Sequence, residues 1–199
     1  MLWMITDFSA YKSKLAAYSS ISSMLEAGAD MVTLRNKNIF PKEKVHSIAR
    51  ALYAIFHDKG VFIHDPDEGE EREFDFLHYP SSRLSDAISA KKLYKNKKIA
   101  VSLHDIEECL FALRAKVDYA FLSPVYRPIS KPDDTRSCVK PVKLDSIVLL
   151  GGIDREKGEE LIKNGYKNIA GISLFLGGAA KDDVRYLAEL IKENSFYEK

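Results

Sequence analysis

Two cations set two residues apart, Arg35 and Lys37, follow the apolar run Met31-Val32-Thr33-Leu34. At the end of a strand that spacing lets both side chains lean over one rim and face a polyanion. A third cation, Lys131, closes the loop Ser123-Pro124-Val125-Tyr126-Arg127-Pro128-Ile129-Ser130, which two prolines stiffen. Further along, Ile147-Val148-Leu149-Leu150 runs into Gly151-Gly152-Ile153, and Asn168-Ile169-Ala170 runs into Gly171-Ile172-Ser173. Glycines at a strand end leave amide N–H groups uncovered, and where a helix opens next the turn suits an anion. Two such turns on adjacent strands form one phosphate cup, with Gly151, Gly152, Ile172 and Ser173 as its residues. Taken singly, a glycine of this kind also serves a tight turn, and a lone Lys or Arg is commonly a solvated surface charge.

Three histidines fall at the ends of apolar runs: His64, His78 and His104. One histidine there is usually structural, whereas three on one rim suit a general acid or base. Ser102 lies on the same rim, and Asp65 directly follows a run. Asp65 could hold Mg²⁺, which prefers carboxylate and phosphate oxygens, or could cap the helix after it. His46 and His57 sit in a helical segment and are expected to stand apart. Cys109 and Cys138 are too few and too isolated for a disulfide framework or a metal site, and Cys109 reads as a small core residue.

A formal net charge of +1 provides no global field for nucleic acid or an acidic membrane, so recognition of anions must be local and partners small. No apolar run approaches a membrane span, and the start Met1-Leu2-Trp3-Met4 lacks the features of a signal peptide, so a cytoplasmic protein is expected. The aliphatic and charged bias also fits a heat-adapted host.

These residues need a scaffold that brings strand ends to one face. Short apolar runs alternate with helical-period segments, and no Pro/Gly/Ser-rich linker divides the 199 residues. That pattern predicts an α/β fold with a parallel sheet and crossover helices. Strands are expected at residues 2–6, 31–35, 61–63, 74–78, 99–102, 119–123, 147–150 and 168–172. Eight is the number a single (β/α)8 TIM barrel needs, and the length allows one such domain over residues 1–199. An acidic or amide residue precedes alternate runs, at Asp30, Asp75, Asp118 and Asn168, about 45 residues apart, which is two βα units. Helices are expected over 12–27, stopping at Gly28, then after Pro41, over 105–116 behind Asp105, from Asp154 to Asn164-Gly165, and over about 182–194. Between Lys131 and Ser146 only a polar loop and the short stretch 139–144 remain. The sixth helix is therefore expected to be shortened or missing, leaving a long, mobile loop in that stretch beside the active face.

In order and spacing, Leu2-Trp3-Met4-Ile5-Thr6-Asp7, Thr33-Leu34-Arg35-Asn36-Lys37, the segment 118–131, Gly151-Gly152-Ile153 and Gly171-Ile172-Ser173 resemble the thiamine phosphate synthases and their relatives, the TenI-like thiazole tautomerases. The resemblance implies a (β/α)8 fold. In the synthases, hydroxymethylpyrimidine pyrophosphate is joined to thiazole phosphate with Mg²⁺ and release of pyrophosphate. By resemblance, Arg35 and Lys37 match the pyrophosphate-binding pair, Ser102 and Lys131 further pyrophosphate contacts, Asp65 a Mg²⁺ ligand, and Gly152 with Ile172-Ser173 the thiazole-phosphate cup. Such a reaction needs stabilisation of the departing charge more than a strong nucleophile.

The departures matter as much as the matches. The synthase pattern has Gln at Thr33, Asn at His64, and Thr at Pro128, and its second Mg²⁺ aspartate falls on Ser82 or Arg83. That loss weakens any Mg²⁺ site, unless Arg83 itself neutralises pyrophosphate. The tautomerase branch keeps the phosphate cup and shifts a carboxythiazole phosphate between isomers by proton transfer, but its acid/base histidine falls on Pro124. His64, His78 or His104 would then carry the proton. The preferred expectation is a thiazole-phosphate-binding, tautomerase-like enzyme of thiamine biosynthesis or salvage, followed by an authentic synthase. A non-catalytic binder of thiazole phosphate, or a partner of thiazole synthase, is the reading from another class. Phosphoribosylanthranilate isomerase, another phosphate barrel, uses a cysteine where this first run ends in Thr6-Asp7. A second copy of the chain, as a homodimer, is a further candidate partner.

Overall fold

The computed structural model describes residues 1–127 and 137–196. Eight parallel strands form within two residues of their expected bounds: β1 (Leu2–Ile5), β2 (Met31–Leu34), β3 (Gly60–His64), β4 (Phe76–Tyr79), β5 (Lys98–Leu103), β6 (Tyr119–Leu122), β7 (Ile147–Leu149) and β8 (Ile169–Gly171). They pair in chain order and close into a barrel, with Trp3 of β1 opposite Ala170 of β8. Around them lie α1 (Lys14–Ala27), α2 (Lys42–Ile55), α3 (Glu68–Glu73), α4 (Leu84–Leu93), α5 (Ile106–Arg114), α6 (Arg155–Lys163) and α7 (Ala180–Phe196). Among the described residues no helix stands between β6 and β7, as the absence of a helical period there predicts.

Local signals set these limits. Ser13 Oγ accepts from Ala16 N at 3.1 Å and starts α1, while Gly28 ends it at φ 121°. A Cβ at Gly28 would lie 2.6 Å from Ala188 Cβ, so glycine there also lets α7 pack closely. Asp105 and Asp154 cap α5 and α6 as expected. The expected cap at Asp65 is corrected: Asp67 caps α3, in a reciprocal box with Glu70. Helices α3 and α4 carry no strong apolar period and were not anticipated; Glu-Gly-Glu-Glu-Arg-Glu forms α3 on that box and on pairs from Lys42, His46 and Arg50 of α2, and α4 buries only Ala87 and Ala90.

Inward-facing side chains fill the barrel, with Trp3, Ile5, Phe62, Ala100, Phe121, Val148 and Ala170 buried together. The Trp3 ring lies 4.5 Å from Phe62 and 4.8 Å from Phe121. Outward residues of the strands pack under the helices, where Cys109 is fully buried. Three of the four residues that precede alternate strands explain the sequence echo. The Asp30 carboxylate accepts from Leu2 N at 2.7 Å, Asp118 from Ile99 N at 2.9 Å, and Asn168 Nδ2 donates to Ile147 O at 3.3 Å. Each latches the base of one strand to the strand before it. Asp75 instead points outward, with its carboxylate 3.7 Å from Lys97 Nζ.

Candidate active site

At the C-terminal mouth of the barrel lies a cavity of about 330 Å³. One wall carries Arg35, His64, His78, Ser102 and His104 from the ends of β2 to β5, and the opposite wall carries Gly151, Gly152, Ile172 and Ser173. Nine residues expected at the site thus share one space. Lys37, at φ 48° and exposed, and Asp65, at φ 53°, lie outside its lining. Lys131, Pro128 and most of the 127–137 loop lie outside the described residues.

The glycine wall is shaped by backbone that only glycine accommodates well. Gly151 and Gly152 have φ 104° and 63°, and a Cβ on Gly152 would lie 2.7 Å from the carbonyl oxygens of Tyr126 and Arg127. The segment after β6 is pinned here by Val125 N to Leu150 O at 2.9 Å and Tyr126 N to Gly151 O at 3.0 Å. Asp154, whose side chain caps α6 and pairs with Lys157 at 2.9 Å, also lines the cavity. Its position after Gly-Gly-Ile signalled a cap, not a cavity residue.

The other wall is a hydrogen-bonded file. Trp3 Nε1 donates to Thr33 Oγ1 at 2.9 Å, Thr33 Oγ1 lies 2.9 Å from His78 Nδ1, and His78 Nε2 lies 2.9 Å from Ser102 Oγ. Trp3, Thr33 and His78 are closed to solvent. Both His78 nitrogens are thus occupied by hydroxyls. Burial, with His64 and Arg35 adding, holds this imidazole well below the ordinary histidine range. His64 sits 5.5 Å from His78 between ring centroids, and burial followed by Arg35 holds it down to about 4, so it is neutral at neutral pH. His104 Nδ1 lies 2.8 Å from the Ser123 carbonyl oxygen, which can only accept. In the neutral ring Nδ1 therefore carries the hydrogen, and Nε2 is the basic nitrogen.

The Asp65 carboxylate is paired with a cation of the chain itself, which fits a magnesium ligand poorly. Its Oδ1 accepts from Arg83 Nη1 at 2.9 Å, and the same guanidinium binds Asp86 at 2.7 Å and Pro66 O at 2.7 Å, with Glu71 at 3.7 Å. Mg²⁺ needs several oxygen ligands in near-octahedral array, and a fixed cation against the carboxylate opposes it. Among the described residues no three His, Cys, Asp or Glu side chains gather as a metal site. Arg83, considered from sequence as a neutraliser of pyrophosphate, is paired with carboxylates here and lies outside the cavity lining. Its spacing in the sequence gave no sign of this set of partners.

A family model described as thiamine monophosphate synthase matches residues 2–175. Among relatives, the thiamine-phosphate synthase of Clostridium acetobutylicum is 28% identical over 205 residues, covering 98% of this chain and 96% of its own. That of Staphylococcus saprophyticus is 29% identical over 187 residues, covering 86% and 87%. The solved structure of a thiamine phosphate pyrophosphorylase from Pyrococcus furiosus superposes with a TM-score of 0.77 at 23% identity, covering 97% and 96%, a likeness of fold.

Proposed function

The chain belongs to the thiamine monophosphate synthase family, and we propose that within it this barrel, a single domain over residues 1–199, binds a phosphorylated thiazole and acts on it as a tautomerase-like enzyme of thiamine biosynthesis or salvage. One observation carries the reading: the two walls of the cavity are altered unequally. The glycine wall keeps the turns that suit a phosphate. On the other side, Asp65, which the resemblance makes a metal ligand, lies outside the lining and is tied to Arg83, and Thr33 is enclosed by Trp3 and His78 instead of facing the cavity. A second substrate bearing Mg²⁺ and pyrophosphate finds less to hold it.

Isomerisation of a carboxythiazole needs one proton removed from the ring and one returned at another position, so a single imidazole can serve both steps with no net gain or loss. His78 is spoken for at both nitrogens. His104, whose tautomer Ser123 fixes, is the better-placed carrier, and His64 is the other. Arg35, with Lys37 beyond the lining, would hold the ligand's negative charge, Lys131 would add to it as the resemblance implies, and Ser102 would donate to it.

The relatives named as thiamine-phosphate synthases favour a second reading, an authentic synthase with a modified pyrimidine site, for which Arg35, Lys37 and Ser102 remain in place. Calorimetric titration with thiazole phosphate, then pyrophosphate with and without Mg²⁺, separates them. Tight thiazole-phosphate binding without Mg²⁺-dependent pyrophosphate binding is expected. Formation of thiamine phosphate from both substrates at an ordinary rate would overturn the tautomerase-like reading, and binding without isomerisation would favour a non-catalytic binder. Two free cysteines support a cytoplasmic location, and among the described residues no helix is long and apolar enough to cross a membrane. Sedimentation would test a homodimer.

A further inference from the structure

The file from Trp3 to Ser102 crosses the barrel through four strands and has a direction. An indole N–H can only donate, so Thr33 Oγ1 accepts from Trp3. The single Thr33 hydroxyl hydrogen then has His78 Nδ1, 2.9 Å away, as its acceptor. A nitrogen that accepts carries no hydrogen, so the neutral ring holds its hydrogen on Nε2 and donates it to Ser102 Oγ. The opposite tautomer would leave the buried Thr33 hydroxyl with no acceptor, a cost that native interiors avoid. Burial keeps the ring neutral, so protonation does not reverse the file.

We propose that Trp3, Thr33 and His78 are positioning residues that orient Ser102 as a donor: its oxygen accepts from His78, which leaves its hydrogen to turn into the cavity toward an anion. This rests on the reading that the cavity takes a phosphorylated ligand. Ser102 lines that cavity, as does the Arg35 guanidinium, which only donates. Two donors on one wall, one of them charged, favour an anionic acceptor: a phosphoryl oxygen or a carboxylate.

The test uses the full chain. Nitrogen-15 spectroscopy of the imidazoles, with the His78 signals assigned by their loss in His78→Gln, is expected to show hydrogen on Nε2 and none on Nδ1. Hydrogen on Nδ1, or a protonated ring at neutral pH, overturns the proposal whatever the ligand. Calorimetry with inorganic pyrophosphate and with thiazole phosphate supplies the second arm. Thr33→Val is expected to weaken whichever anion contacts Ser102 by about tenfold, as Ser102→Ala does, and Thr33→Ser to restore it. If Ser102→Ala weakens binding and a folded Thr33→Val does not, the relay is wrong. If wild-type protein binds neither anion while His78 carries its hydrogen on Nε2, the functional reading and the anion half of this proposal fail, and the tautomer assignment stands.

Discussion

The Asp65 carboxylate and the Arg83 guanidinium meet at 2.9 Å between the ends of β3 and β4, where the resemblance places a pair of magnesium carboxylates. An internal cation thus stands where an exchangeable one is expected. Anion binding by the wild-type protein should therefore change by less than about twofold between excess EDTA and millimolar Mg²⁺, read by calorimetry. Arg83→Asp, which rebuilds the carboxylate pair, should gain measurable Mg²⁺ binding. A wild-type protein whose pyrophosphate affinity rises steeply with Mg²⁺ would refute this assignment.

Gly152→Ala should damage the cup directly. The substitution forces a side chain to φ 63° and brings Cβ to 2.7 Å from two carbonyl oxygens. Strain of this kind costs about 1–3 kcal/mol, and phosphate affinity should fall by about tenfold or more as the turn rearranges. Gly178→Ala, with nothing within 4 Å of the added Cβ, is the control and should leave both stability and affinity unchanged. Equal behaviour of the two variants would remove the cup from the site.

His104→Gln separates chemistry from binding. The variant keeps a side chain able to meet the Ser123 carbonyl oxygen but has no basic nitrogen. Isomerisation should slow by about 10²–10⁴-fold with thiazole-phosphate affinity nearly intact. Unchanged turnover would transfer the proton to His64.

Stability should fall on acidification. His78 is held neutral in the folded protein and has an ordinary affinity for protons once unfolded. Below about pH 6.5 the unfolded chain therefore binds more protons, and this ring alone costs up to about 1.4 kcal/mol per pH unit until it protonates in the folded state, with His64, held down to about 4, adding to the slope. Denaturant unfolding from pH 8 to pH 5 should show this loss, and His78→Gln, although less stable at pH 8, should show a shallower slope. A wild-type curve flat through that range would contradict the buried neutral ring.

Much of the architecture is legible in the residues. The eight strands announce themselves because β-branched and aromatic runs alternate with capped helical periods, and Asp105 and Asp154 start the helices that their spacing predicts. Polar cap chemistry without an apolar stripe hid α3, and small alanines hid α4. The candidate site was legible as a rim, since strand ends converge in any barrel. Its internal connections were not. Trp3, Thr33, His78 and Ser102 are separated by dozens of residues, and only barrel curvature brings β2 and β4 side chains together across the lumen. Arg83 likewise reads as one more surface cation until Asp65, Asp86 and Pro66 O are seen around it.

The latches at the barrel base are unevenly distributed. Asp30, Asp118 and Asn168 fasten β1 to β2, β5 to β6 and β7 to β8, whereas Asp75 leaves β3 and β4 without one. That pair has only two register partners, Ile63 with Leu77 and His64 with His78, and the Asp65/Arg83 bridge lies just above them. The bridge thus adds a clasp to a short joint that has no latch at its base. Amide hydrogens along this joint should exchange with solvent through a lower-energy opening than those of the longer, latched β1/β2 and β5/β6 pairs, and loss of the bridge should lower that opening further.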